Sequence, residues 1–345
     1  MSEFMRLDHV TRTFGGGAFS TKPPIVAVDD VSLSIDEDEP KITTIAGESG
    51  SGKTTLARLL MGTIKPTFGT MYYRGSDFSK LSRQDSWKFK QEVQSIYQDP
   101  FGSYNPFYKV DHVLETPINR FKLATSKQAR DAMIEEALAM VGLQPGDTLG
   151  RFPHQLSGGQ RQRIMVARAL LIKPRLILAD EPVSMVDASL RATILDSIRR
   201  LNREIGISVI YITHDLTTAL QISDNILVMY RGSVVESGAV ERVILEPKHP
   251  YTQLLIESIP QPDPDNKWGD EPPSPRFEDF SSMLGCKFAD RCPHVMDICN
   301  EDQPPAYRLE QHRQALCYLY RDEAPEMEDP DLSTIFQDRR AELNV

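Results

Sequence analysis

Eight residues, Gly47-Glu48-Ser49-Gly50-Ser51-Gly52-Lys53-Thr54, constrain the fold of this chain more than any others. The segment before them, Lys41–Ala46, is short and β-branched, and Thr54–Met61 after them runs with helical periodicity. A G-x-x-x-x-G-K-[ST] loop in that setting predicts a strand–loop–helix unit whose glycines let consecutive backbone N–H groups converge on an anion. Lys53 meets the charge of a β- or γ-phosphate, and the Thr54 hydroxyl can ligate Mg²⁺. An ordinary glycine-rich turn explains the pattern poorly in this context.

The flanking sequence supplies the sheet that such a loop requires. Arg175–Ala179 carries the Leu-Ile-Leu run of a buried strand, Leu190, Ile194, Ile198, Leu201 and Ile205 recur at helical spacing, and Ile207–Thr213 is another apolar, β-branched strand. Ser126 is placed to cap a helix with Ala129, Met133, Ala137 and Met140 on one side, closed by Gly142. Alternating strand and helix predicts an α/β fold with a largely parallel sheet covered on both faces. Leu176-Ile177-Leu178-Ala179-Asp180-Glu181 then delivers two carboxylates to the C-terminal edge of that sheet. Asp180 is placed to complete a Mg²⁺ shell and Glu181 to polarise an attacking water. Alone the pair reads equally as a solvated turn; the phosphate loop decides between the two.

Composition narrows the function classes. With 345 residues, 40% hydrophobic and 26% charged, the chain can bury a sizeable core and still hold a second module. A net charge of −10 and the lack of any Lys/Arg-rich block argue against a nucleic-acid partner. Apolar runs such as Ala169-Leu170-Leu171-Ile172 fall far short of the roughly 20 residues that span a bilayer. The opening MSEFMRLDHV has no apolar leader core, and all four cysteines lie between Cys286 and Cys317; a cytosolic protein is expected. Beyond Ser258 the stretch IPQPDPDNKWGDEPPSP reads as a linker, and no internal repeat is visible.

Leu156-Ser157-Gly158-Gly159-Gln160-Arg161-Gln162-Arg163 resembles the signature sequence of ABC ATPases, and the other marks of that family follow in order. Gln98 in Tyr97-Gln98-Asp99-Pro100 matches the glutamine loop. Asp187, in Pro182-Val183-Ser184-Met185-Val186-Asp187, matches the loop that crosses the dimer interface, and His214, in Ile212-Thr213-His214-Asp215, matches the switch histidine. The resemblance covers about residues 3–320. It implies a P-loop NTPase core of the ABC ATPase type within residues 1–255, interrupted at about 91–164 by a helical subdomain. A small cysteine-bearing C-terminal module over 256–325 and an acidic tail over 326–345, read as mobile, complete the expected organisation.

The same resemblance implies ATP and Mg²⁺ as cofactors. Gly47, Ser49, Gly50, Ser51, Gly52, Lys53, Thr54 and Thr55 are expected to bind ATP, with Phe14 against adenine. Phe19 competes for that place, and a core role suits either ring. Thr54, Gln98 and Asp180 are expected around Mg²⁺, and Glu181, His214, Lys53 and Gln98 in catalysis. Ser157, Gly158, Gly159 and Gln160 are expected to cap the nucleotide of the opposite subunit in a head-to-tail dimer. A helix N-terminus suits that task, whereas a plain N-cap at Ser157 leaves the two glycines unexplained.

Three further features resemble the oligopeptide/dipeptide importer group, which also contains carriers of nickel and of oligosaccharides: Gln98-Asp99-Pro100 leading to Ser103-Tyr104-Asn105-Pro106, His249-Pro250-Tyr251-Thr252, and the cysteine-bearing tail. Tyr104 replaces a usual Leu, and Met185-Val186 replaces a commoner Ala-Leu; neither touches a catalytic group. The group implies an ATP-hydrolysing subunit at the cytoplasmic face of the inner membrane. Its partners are two transmembrane permease subunits, an extracytoplasmic solute-binding protein and a second ABC ATPase subunit, the same chain or a different one, with no nucleic acid. The alternative, a non-transport ABC ATPase of the repair or translation type, calls for heptad arrays or paired cassettes that this sequence lacks. A regulatory subunit with a dead site conflicts with intact Lys53, Asp180, Glu181 and His214.

The thiol spacing, Cys286-x5-Cys292-x6-Cys299-x17-Cys317, lacks the paired C-x-x-C of common zinc sites. It lies in a segment poor enough in apolar residues to want a staple. Members of the resembled group carry an iron–sulfur cluster on a similar tail, so a [4Fe-4S] cluster on these four residues is expected. Zn²⁺ and idle thiols are the alternatives.

Overall fold

The computed structural model describes residues 3–15, 23–98, 102, 104–184, 186, 188–259, 284–327 and 331–336. It divides into two compact units, one of Met1–Asp38, Thr43–Lys80 and Thr213–Val345, the other of Glu39–Ile42 and Leu81–Ile212. In chain order the strands are β1 (Glu3–Phe14), β2 (Ile25–Asp36), β3 (Ile42–Ala46), β4 (Phe68–Tyr73), β5 (Ser76–Asp77), β6 (Val93–Ile96), β7 (Leu176–Asp180), β8 (Ser208–Ile212), β9 (Asn225–Tyr230), β10 (Ser233–Ala239), β11 (Tyr307–Glu310) and β12 (Arg313–Ala315).

In the first unit an antiparallel sheet runs β2-β1-β4-β5, with Leu7 opposite Leu33 and Val10 opposite Val31. Alternate residues of its long strands, Leu7, Leu33 and Met71 among them, point into the core, as the two-residue period of a half-buried sheet requires. A second set of strands runs β11-β12-β10-β9-β3, parallel only between β9 and β3. Every residue of β3 is buried, which fits its β-branched run, and the loop and helix Lys53–Leu60 follow it as expected.

No boundary between compact units falls near residue 255: β12 pairs with β10 through Glu236 and Gly238, and Phe288 packs on Tyr230 and Tyr251. The acidic tail read as mobile is docked over residues 331–336. There Leu332 and Ile335, one turn apart, are buried, Asp331 caps the turn, and Ser34 Oγ donates to Asp331 at 3.0 Å. Two apolar residues at that spacing give even a single turn a face to bury; residues 328–330 and 337–345 lie outside the described set.

The second unit holds a parallel β6-β7-β8 sheet in which Ser95 stands opposite Leu178, and Leu178 opposite Ile210. Ser126 caps the helix Lys127–Met140 by accepting from Ala129 N, as its sequence predicts. This unit is larger than the helical stretch expected over 91–164, because helix Gly158–Leu170 packs on both the Lys127–Met140 helix and β6. Among the described residues no helix is long and apolar enough to cross a membrane.

Candidate functional site

The phosphate loop is shaped by glycines that the fold cannot exchange. Gly47 and Gly52 hold φ of 145° and 110°, and a side chain at either would approach a backbone oxygen, of Met229 or Ala27 respectively, to 2.2 Å. The loop is braced by Ser51 N donating to Glu48 O at 3.2 Å and Gly232 N donating to Ser51 O at 2.8 Å. Lys53 is buried, and its ammonium donates to Gly47 O at 2.7 Å and Glu48 O at 2.8 Å. Ser49, Gly50 and Thr54 are exposed, Thr55 is half-buried, and the Ser51 hydroxyl is buried with no hydrogen-bond partner among the described residues. An orphaned buried hydroxyl costs about 1–3 kcal/mol until an acceptor arrives, and a phosphate oxygen is one. The loop therefore fits the phosphates and metal expected of it.

Two other expected residues lie in the same unit. Phe14 ends β1, 39% exposed, with the Arg12 guanidinium 4.6 Å from its ring centroid, so one face is already covered. Its competitor Phe19 lies outside the described residues. Thr213 N donates to Ile45 O at 3.2 Å, which makes exposed His214 leave beside the strand that feeds the loop. Asp215 then caps the helix Leu216–Ile222.

In the second unit β7 ends at Asp180, and Glu181 turns away with φ 44°, a left-handed conformation costly for a side-chain-bearing residue. Its N–H is held by Ile212 O at 2.9 Å. Gln98 Nε2 donates to Glu181 Oε2 at 2.7 Å, so two residues 83 positions apart meet, and the carboxylate is aimed by the amide. Ser157 Oγ accepts from Gln160 N at 3.1 Å while Gln160 Oε1 accepts from Ser157 N at 2.9 Å, a reciprocal cap that starts the helix Gly158–Leu170. Tyr104 is buried and its hydroxyl donates to Arg161 O at 2.8 Å, which accounts for Tyr where Leu is usual; burial pushes its pKa well up from the ordinary value. Asp187, Asp99, Pro100 and Ser103 lie outside the described residues.

The four cysteines line one small pocket of about 10 Å³ in the first unit, together with His249, His294 and Met296. Cys286 N donates to Cys299 O at 2.8 Å, and none of the four is in a disulfide. Burial pushes Cys286 up to about 11 and Cys317 up to about 12, and raises Cys292 too, so these thiols are protonated at neutral pH. Among the described residues no group of three or more His, Cys, Asp and Glu side chains stands ready to hold a metal ion. The four thiols share one pocket but are not drawn into a coordination shell.

Sequence reasoning missed two residues. Tyr251 Oη accepts from Glu48 N at 2.8 Å, and Arg291 forks onto the Glu48 carboxylate with two contacts of 3.1 Å. Tyr251 was visible only as part of His249-Pro250-Tyr251-Thr252; nothing local marks Arg291.

Comparison with known proteins adds to this geometry. Residues 28–184 match the family model described as ABC transporter, and residues 235–299 match that of the oligopeptide/dipeptide transporter C-terminal region. The dipeptide transport ATP-binding protein DppF of Escherichia coli is 39% identical over 293 residues, covering 84% of this chain and 85% of its own. The oligopeptide transport ATP-binding protein OppF of Salmonella typhimurium is 39% identical over 293 residues, covering 82% and 85%. A solved dimer of the ATP-binding cassette MJ0796 bound to ADP and Pi superposes with a TM-score of 0.59 at 29% identity, over 68% of this chain and 98% of that one.

Proposed function

Since the chain belongs to the ABC transporter family of ATP-binding proteins and carries the C-terminal region of its oligopeptide/dipeptide members, we propose that it binds and hydrolyses ATP to energise uptake of peptides or a related solute. The observation that carries this reading is the loop 47–54, whose two fold-locked glycines and buried Lys53 suit a polyphosphate. Backbone N–H groups and Lys53 hold the β- and γ-phosphates, with Ser49, Gly50, Ser51 and Thr55 around them and Phe14 against adenine. Thr54, Asp180 and Gln98 would hold Mg²⁺, which would neutralise charge on the transferred phosphoryl group. Glu181, aimed by Gln98, orients the attacking water and accepts its proton, and His214 contacts the γ-phosphate. Because Ser157 Oγ uses only its acceptor side in the cap, its O–H remains to donate to the nucleotide of an opposite subunit, with Gly158, Gly159 and Gln160 behind it and Asp187 at that interface.

Transport needs membrane-crossing partners: two permease subunits, an extracytoplasmic solute-binding protein and a second ATPase subunit, assembled at the cytoplasmic face of the membrane. Glu181→Gln is expected to leave ATP affinity within about threefold and cut turnover by 10² or more, the usual worth of a general base. Equilibrium binding and steady-state hydrolysis on the purified chain read the two effects; near-normal turnover refutes the role.

A second reading concerns the thiols. Four cysteines around one cavity support a [4Fe-4S] cluster held by Cys286, Cys292, Cys299 and Cys317, with Zn²⁺ as the alternative and a structural role in either case. Buried, protonated thiols must lose their protons to solvent before the thiolates bind a metal, so loading should strengthen as pH rises. Anaerobic purification followed by iron, sulfide and zinc analysis tests it. A metal-free protein whose 284–327 segment is fully folded counts against both metals.

A further inference from the structure

We propose that Arg291 and Tyr251 are positioning residues for the phosphate loop, acting through Glu48, so that the cysteine-bearing segment sets the affinity for ATP. The inference rests on the nucleotide reading above and extends it to residues 203 and 243 positions downstream of the loop.

Glu48 is gripped at all three of its polar groups. Its N–H donates to Tyr251 Oη at 2.8 Å, its carboxylate takes both guanidinium nitrogens of Arg291 at 3.1 Å, and its carbonyl accepts from Lys53 at 2.8 Å. The anchors are better buried than what they hold: Tyr251 is 0% exposed and the Arg291 side chain 10%, against 42% for Glu48. Tyr251 lies against the Tyr230 and Phe288 rings at 4.5 and 5.6 Å. Residues between the first two cysteines are pinned in turn. Lys287 Nζ reaches Asp29 at 2.6 Å and Ser233 Oγ at 2.7 Å, and Asp290 pairs with Arg231 at 3.2 Å. A forked arginine–carboxylate contact fixes both direction and distance, which a single bond does not.

Charge gives the contact a second consequence. Glu48 occupies a variable position of a loop built for a polyanion, and a carboxylate there repels what the loop must bind. Arg291 neutralises it. Removing the arginine therefore loosens the loop and uncovers a negative charge; removing the glutamate as well cancels the second effect.

The test is a four-member cycle on the full-length chain, with fluorescent ATP analogue and Mg²⁺ as probe and steady-state hydrolysis alongside. Arg291→Gln is expected to weaken binding about tenfold, Glu48→Gln by less than about threefold, and the double variant to recover to within about threefold of the unaltered chain. Tyr251→Phe, which keeps the ring packing and loses only the oxygen, is expected to raise KM for ATP about threefold with kcat held within about twofold. A double variant no better than Arg291→Gln alone makes the arginine a merely structural residue and overturns the inference. So does unaltered affinity in Tyr251→Phe, which decides the matter should Arg291→Gln fail to fold. An unaltered chain that binds no ATP brings down the nucleotide reading and the inference together; one that binds while its variants match it overturns the inference alone.

Discussion

Gly50 and Gly52 lie two positions apart in the phosphate loop, both left-handed, with φ of 79° and 110°, yet their surroundings differ. A methyl group on Gly50 meets nothing within 4 Å, whereas on Gly52 it lies 2.2 Å from the Ala27 carbonyl oxygen. Gly50→Ala is therefore expected to cost about 1–2 kcal/mol, the price of an L-residue in that region, and to leave the backbone of the loop in place. Gly52→Ala must also move backbone, so it is expected to cost more than about 2 kcal/mol and to lose binding. Urea denaturation and nucleotide titration on the two variants read the contrast; equal effects would show that space around the loop is not what matters. The loop was legible in sequence because its residues act at short, fixed spacing. The fork of Arg291 onto Glu48 and the left-handed turn at Glu181 were not, since both are set by neighbours far along the chain.

At the scale of elements, strand and helix periodicity placed β3, β7, β8 and the Lys127–Met140 helix, where burial on one or both faces writes itself into the apolar pattern. The antiparallel β2-β1-β4-β5 sheet was not read, because its pairings join segments that local periodicity cannot connect. The helix Pro250–Glu257 shows how a motif hides a structural role. His249 is its N-cap, with Nδ1 accepting from Tyr251 N at 3.0 Å, while the ring also bonds the Leu316 backbone and is fully enclosed. Burial lowers it from 6.5 to about 3. The folded state thus keeps the ring neutral where the unfolded chain takes up a proton, so its contribution is complete above pH 6.5 and is lost as pH falls toward 3. Across that window the slope is about 1.4 kcal/mol per pH unit. His249→Asn keeps a capping oxygen without the titration and is expected to flatten the acid side of the stability profile. Denaturation midpoints at neutral and acid pH measure it, and an unchanged slope would assign the acid sensitivity to other groups.

Across the whole molecule the C-terminal segment shows what composition leaves out. Its Pro- and Asp-rich approach and its cysteines look like a separate module, but composition does not show that β12 adds to β10 or that Arg313 and Glu236, both 0% exposed, meet at 2.7 Å. Glu236 also accepts from the Lys248 and His249 N–H groups, so the buried carboxylate organises the approach to the helix that carries Tyr251. Ending the chain at residue 259 would strip away Arg313, leave that charge unpaired and open the β10 edge. Breaking one side of a buried pair costs about 3–5 kcal/mol, and an uncovered edge strand invites association. The shortened chain is therefore expected to express as aggregate or to unfold at markedly lower urea, and Arg313→Met in the full chain to reproduce most of the stability loss. Adding Glu236→Gln to Arg313→Met removes the orphaned charge and should restore part of it, on the order of 1–3 kcal/mol. A chain ending at residue 259 that is as soluble and stable as the whole would show that the ATPase fold closes without its C-terminal strands. Stability measured on the four proteins separates lost sheet pairing from the isolated charge, since only the second responds to Glu236→Gln.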